Sequence, residues 1–144
     1  MLTEVAPYLL AGSAAIVLLL GLLHLLYTFR GSKLLPRDAE LQQRMSSVSP
    51  VITRETTMWK CWVGFNASHS FGAIFYGLVY GYLALAHPSF LFESAFLLGV
   101  GLALLAGYAF LGMRYWFSIP FRGILLSLIL YVLVVAEVAS ERVT

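Results

Sequence analysis

Residues 7–29, PYLLAGSAAIVLLLGLLHLLYTF, contain no Asp, Glu, Lys or Arg. A helical crossing of a bilayer core takes about 20 apolar residues, so this run is long enough to span one. Three more runs qualify, at 60–87, 95–112 and 119–138. Over the whole chain of 144 residues, 60% are hydrophobic and 11% charged, against about 45–50% and about 25% in a soluble domain. The sequence therefore predicts an all-α, polytopic membrane protein: four transmembrane helices in one bundle, forming a single domain over 1–144. No run reads as strands. The first span is read as retained rather than as a secretory signal, because it follows Glu4 instead of a positive n-region and has no small-residue cleavage site.

Lys and Arg resist translocation and so set orientation. The segment 30–59 between the first two spans, with Lys60 at its end, holds Arg30, Lys33, Arg37, Arg44 and Arg54, and the third loop holds Arg114 and Arg122. The N-terminal tail and the second loop have none, and the C-terminal tail has only Arg142. This predicts a bacterial inner-membrane protein with both termini outside the cytoplasm. Arg30, Arg37, Arg54, Arg114 and Arg122 then face lipid headgroups. Nucleic acid is excluded as a partner, since the basic residues follow a membrane rim with no reader motif. The one cysteine, Cys61, supplies neither a disulfide nor a metal cluster.

Within the first loop, Asp38 is placed to cap a short helix on which Leu41, Met45 and Val48 recur at helical spacing. This amphipathic piece is expected on the cytoplasmic surface. Ser49-Pro50 reads as a cap and first-turn proline, placing the start of the second helix as early as Pro50 or Thr53. Trp59 and Trp62 would then mark the headgroup level.

On the second helix, Trp62, Asn66, His69, Ala73, Tyr76 and Tyr80 recur at spacings of three and four and share one face. Ala73, Gly77 and Gly81 form a neighbouring small-residue row, and Gly99, Ala103 and Gly107 another on the third helix. Such rows let membrane helices approach closely, so these two helices are expected to pack together. The first helix contributes His24, on a face with Val17, Gly21 and Thr28. His24 lies roughly 8 Å and His69 roughly 13 Å from the cytoplasmic end, so both fall in the inner half of the membrane. Polar side chains at that depth turn away from lipid. The predicted polar site comprises His24, Thr28, Asn66, His69, Ser70, Tyr76 and Tyr80, while Ser68 points aside toward its own backbone. Glu93 and Glu137 read as a helix-dipole partner and a snorkelling carboxylate near the outer ends of the third and fourth spans.

The segments GLLHLLYTF (21–29), PRD (36–38), TRETTMWK (53–60) and GFNASHSFG (64–72) together resemble a family of small bacterial four-helix membrane proteins. The resemblance covers most of the chain and implies the four-helix fold. That family has no established function, so no activity is carried across.

Three function classes compete. A binding or accessory module would hold a lipid-like small molecule at the polar site, or dock a larger membrane complex, with membrane lipids as partners. A b-type haem protein would use His24 and His69 as axial ligands, with Gly21 and Gly72 making room and Arg30 or Arg114 near the propionates; a depth difference of about 5 Å strains it. A lipid- or isoprenoid-modifying enzyme would use His69 as acid or base and Arg37, Asp38, Arg54 and Glu55 as a headgroup site. No carboxylate at mid-depth orients His69, so the residues favour a binding module without catalytic residues, resident metal or cofactor. A transporter would need an inverted repeat that the chain does not show.

Overall fold

The computed structural model of the protein describes residues 2–141, and Arg142 and Thr144 lie outside them. Its described residues form six helices: α1 (Leu2–Phe29), α2 (Ala39–Ser47), α3 (Met58–Ala86), α4 (Pro88–Glu93), α5 (Ala95–Tyr115) and α6 (Ser118–Glu141). Helices α1, α3, α5 and α6 are long and apolar enough to cross a membrane. Only 28–33% of each apolar window is buried within the protein, so most of that surface requires lipid as its solvent.

Local chemistry sets the ends. Asp38 caps α2 as expected, its carboxylate accepting from the Glu40 and Leu41 amides at 2.9 and 3.4 Å. α3 begins at Met58, close to the span start read at 60 and not as early as Pro50 or Thr53. Pro50 instead opens a turn in which the Thr53 amide donates to the Pro50 carbonyl, and the Thr53 hydroxyl accepts from the Glu55 amide. Those bonds hold the backbone off the helical path, and Thr57 becomes the cap through the Lys60 amide. At the other end, His87, which precedes Pro88, leaves the helical conformation with φ −139° and ψ 54°. Pro88 starts α4, a short helix the sequence pattern did not indicate. Glu93 closes α4 and is exposed, and Ser94 caps α5, its hydroxyl accepting from the Leu97 amide at 3.2 Å.

The chain forms two compact units: one is the chain up to Leu20 together with Ala73 onward, the other is Gly21–Gly72. All four apolar helices contribute to the first. Its core recurs at alternating steps of three and four on α5 (Leu98, Gly101, Leu105, Tyr108, Gly112) and on α6 (Ile124, Ser127, Tyr131, Val134, Val138). That spacing is the seam of a left-handed antiparallel pair. α1 adds Ala6, Leu10, Ser13, Ala14 and Val17, and α3 adds Ala73, Tyr76, Tyr80 and Ala84.

The expected pairing of small-residue rows is corrected here. The α3 row faces α1: a Cβ at Gly77 would stand 2.9 Å from the Ala14 carbonyl oxygen, and one at Gly81 would stand 3.6 Å from the Ala14 Cβ. Gly99 and Gly107 meet nothing within 4 Å. Close approach on α5 occurs at Gly101, where a Cβ would collide with the Tyr131 hydroxyl and come within 2.7 Å of the Tyr80 ring. Two small rows state that a close contact is possible, but the core seam decides which face makes it.

Gly77→Leu and Gly101→Leu should each destabilise the protein in detergent by about 1–3 kcal/mol, the usual range for overpacking. Gly107→Leu should leave thermal unfolding nearly unchanged. A Gly107 variant as unstable as the Gly101 variant would contradict this packing.

Candidate functional site

In the unit Gly21–Gly72, the end of α1 and the start of α3 bring His24, Asn66 and His69 together. Asn66 is 6% exposed. Its amide orientation follows from its neighbours: a carbonyl accepts only, so the atom 2.8 Å from the Trp62 carbonyl is the donating Nδ2. Oδ1 therefore faces His24 Nε2, 3.0 Å away. An amide oxygen cannot donate, so Nε2 carries the proton, and in the neutral ring Nδ1 is left as an acceptor. One side chain thus sets the tautomer of the other.

His69 sits half-buried between two rings. Its centroid lies 5.5 Å from that of His24, at an interplanar angle of 82°, and 6.4 Å from that of Phe65, at 12°. Ser70 and Thr28, expected as partners of the imidazoles, donate instead to carbonyls of their own helices, Asn66 and His24 respectively, each at 2.8 Å. Backbone four residues back is always within reach of a helical hydroxyl, which explains the choice. Ser68 donates to the Phe65 carbonyl in the same manner. Among the described residues, no third His, Cys, Asp or Glu joins the two imidazoles in a group able to hold a metal.

Toward the loop, a narrow cleft of about 20 Å³ reaches Asn66. Tyr27, Thr28, Gly31, Trp59 and Trp62 are among its walls. Gly31 turns the chain out of α1 at φ +84°, a conformation that favours glycine. The Trp62 indole N–H donates to the Leu34 carbonyl at 3.2 Å, and the Lys33 ammonium lies 4.0 Å from the centre of the Tyr27 ring. A single water needs roughly 10–15 Å³ by the same measure, so the cleft admits a group the size of a hydroxyl. The second Asn66 Nδ2–H and the Thr28 oxygen lone pairs match the acceptor and donor of such a group.

Tyr76 and Tyr80, read as part of the same face, belong to the other compact unit. There Tyr80 donates to the Leu97 carbonyl at 2.7 Å, and Tyr131 to the Leu98 carbonyl at 3.0 Å. Tyr76 stacks on Tyr80 at 4.7 Å, and its buried hydroxyl has no hydrogen-bond partner among the described residues. Sequence reasoning missed the most buried polar pair. Ser13 and Ser127 are both fully buried, with oxygens 2.8 Å apart; Ser127 donates to the Ser13 carbonyl at 3.0 Å, and the Ser127 carbonyl lies 2.9 Å from the Ser13 hydroxyl. Both serines occur in register with the seam residues, which was the available signal. Arg30, Arg37, Arg54, Arg114 and Arg122 are all exposed. Asp38, grouped in the sequence with Arg37, Arg54 and Glu55, has its carboxylate engaged in capping α2.

No protein-family model, curated protein or solved structure matches the chain.

A double-mutant cycle tests the central contact. His24→Ala and Asn66→Ala should show a coupling of about 0.6–1.5 kcal/mol, the range for hydrogen bonds between membrane helices. Strictly additive losses would mean that the two side chains do not meet.

Proposed function

We propose that this multi-pass membrane protein is a binding or accessory module, in which Asn66, its oxygen held by His24 beside His69, receives the polar end of a lipid-like molecule. The carrying observation is the cleft that reaches Asn66, whose one amide hydrogen and one oxygen are already fixed by Trp62 and His24 while a second amide hydrogen remains to donate. A buried amide with unused capacity is costly in hydrocarbon unless something occupies it. Aromatic walls from Tyr27, Trp59 and Trp62 suit the level where acyl chain meets headgroup. Haem ligation through His24 Nε2 would require releasing it from Asn66, and a bis-imidazole site would require separating two rings that stand in edge contact. Acid–base catalysis would lack a carboxylate grouped with the imidazoles.

The expected test compares lipids that co-purify with the wild-type protein and with Asn66→Leu, identified by mass spectrometry alongside an absorption spectrum. The wild type should carry an amphiphile that the folded variant loses. The same lipid complement in both, or a haem band in the wild type, would overturn the reading.

The proposal places the protein in a bacterial inner membrane with its basic loops inside. Its supports are the distribution of Lys and Arg and the resemblance carried by residues 21–29 and 64–72. A reporter fused after Thr144 should be active outside the cytoplasm and one inserted near Gln43 active inside. The reverse pair of results would invert the orientation.

A further inference from the structure

We infer that the loop over residues 49–57 is a membrane-seating loop that inserts Val51 and Ile52 into the surface of an anionic bilayer. Met58 N–H donates to the Val48 carbonyl at 2.8 Å, so the two ends of the loop are joined. Inside it, the Pro50–Thr53 turn and the bond from the Glu55 amide to the Thr53 hydroxyl shape the backbone. This is a small Ω-type loop, held by its own contacts. At its apex Val51 is 109% exposed and Ile52 91%, the two most exposed large apolar side chains among the described residues. Unlike the apolar residues along the spans, they stand outside every apolar helix.

Charge and connectivity indicate what covers them. Over residues 30–60, Arg30, Lys33, Arg37, Arg44, Arg54 and Lys60 outnumber Asp38, Glu40 and Glu55 by three. Arg44, Arg54 and Lys60, nearest the apex in sequence, are exposed. Met58, which closes the loop, is also the first residue of a spanning helix, so the apex is tethered beside a membrane surface. Apolar tips flanked by cations match an interface of acyl chains and anionic headgroups. Two side chains on a narrow turn fall short of the roughly 1,000 Å² that a stable protein interface needs. A bilayer has no such minimum.

The experiment uses full-length protein with Cys61→Ser, reconstituted into phosphatidylcholine vesicles with or without phosphatidylglycerol. A polarity-sensitive fluorophore is attached at Ile52→Cys or, as a control, at Glu55→Cys. In anionic vesicles the label at 52 should be blue-shifted and quenched several-fold more by headgroup-nitroxide lipid than the label at 55. The difference should shrink without phosphatidylglycerol. In a second arm, Val51→Ser with Ile52→Ser, which leaves the spans untouched, should move a label at Thr53→Cys toward water. Equal quenching at 52 and 55, or no response at 53, would place the apex in water and overturn the inference. A label at 52 shielded only after membrane extract proteins are added would overturn it in favour of a protein partner.

Discussion

The hydrocarbon core of a bilayer offers no water, so a polar side chain in an apolar span is costly unless it finds a partner within the protein. Ser13 and Ser127 show how this constraint organises the fold. Each serine approaches the other's backbone carbonyl, and their hydroxyl oxygens lie 2.8 Å apart, which ties α1 to α6 at a fully buried point. Tyr80 and Tyr131 reach the adjacent carbonyls of Leu97 and Leu98 in the first turn of α5. Both rings come close to Gly101, where the missing side chain makes the approach possible. Hydrophobic burial drives soluble cores together, but between lipid and leucine it has no preference. Register therefore rests on these few hydrogen bonds and on close backbone contact.

The same constraint shapes the unit Gly21–Gly72. The Trp62 carbonyl orients the Asn66 amide, the amide sets the proton on His24, and His24 presents its ring to His69. Each step removes a choice from the next, leaving the Asn66 amide preorganised at the end of a hydroxyl-sized cleft. Under the proposed reading, preorganisation of this kind would lower the cost of binding, because the site would not need to reorder to take a ligand. Thr28 and Ser70 support it indirectly, by satisfying their hydroxyl hydrogens on their own helices.

Length and apolarity made the four spans legible in the sequence, and the Asp38 cap was legible because its side-chain chemistry is local. The grouping of His24, Asn66 and His69 on facing helices followed from periodicity and depth. Partner choice was not legible in the same way. The row of Ala73, Gly77 and Gly81 matches the α5 row as well as it matches α1, and only the three-dimensional seam distinguishes them. Ser13 and Ser127 each look like an isolated small polar residue in an apolar run; their meaning lies in a contact between residues 114 positions apart. The span start read at 60 falls within two residues of Met58, whereas the earlier start offered at Pro50 or Thr53 does not form, because Pro50 suits both a first helical turn and a β-turn, and the Thr53 hydroxyl, engaged with the Glu55 amide, favours the latter.

Inward orientation of the buried polar groups is the claim on which this account rests. The most direct measurement is reactivity toward a bilayer-confined, lipid-soluble thiol probe, in a Cys61→Ser background, of single cysteines replacing Ser13, Asn66, Ser127 or Ile129. Ile129 is 49% exposed, whereas Asn66 is 6% exposed and the two serines fully buried. The account predicts rapid labelling at 129 and strong protection at the other three. Labelling at Ser127 or Asn66 as fast as at Ile129 would place those polar positions against lipid and contradict it.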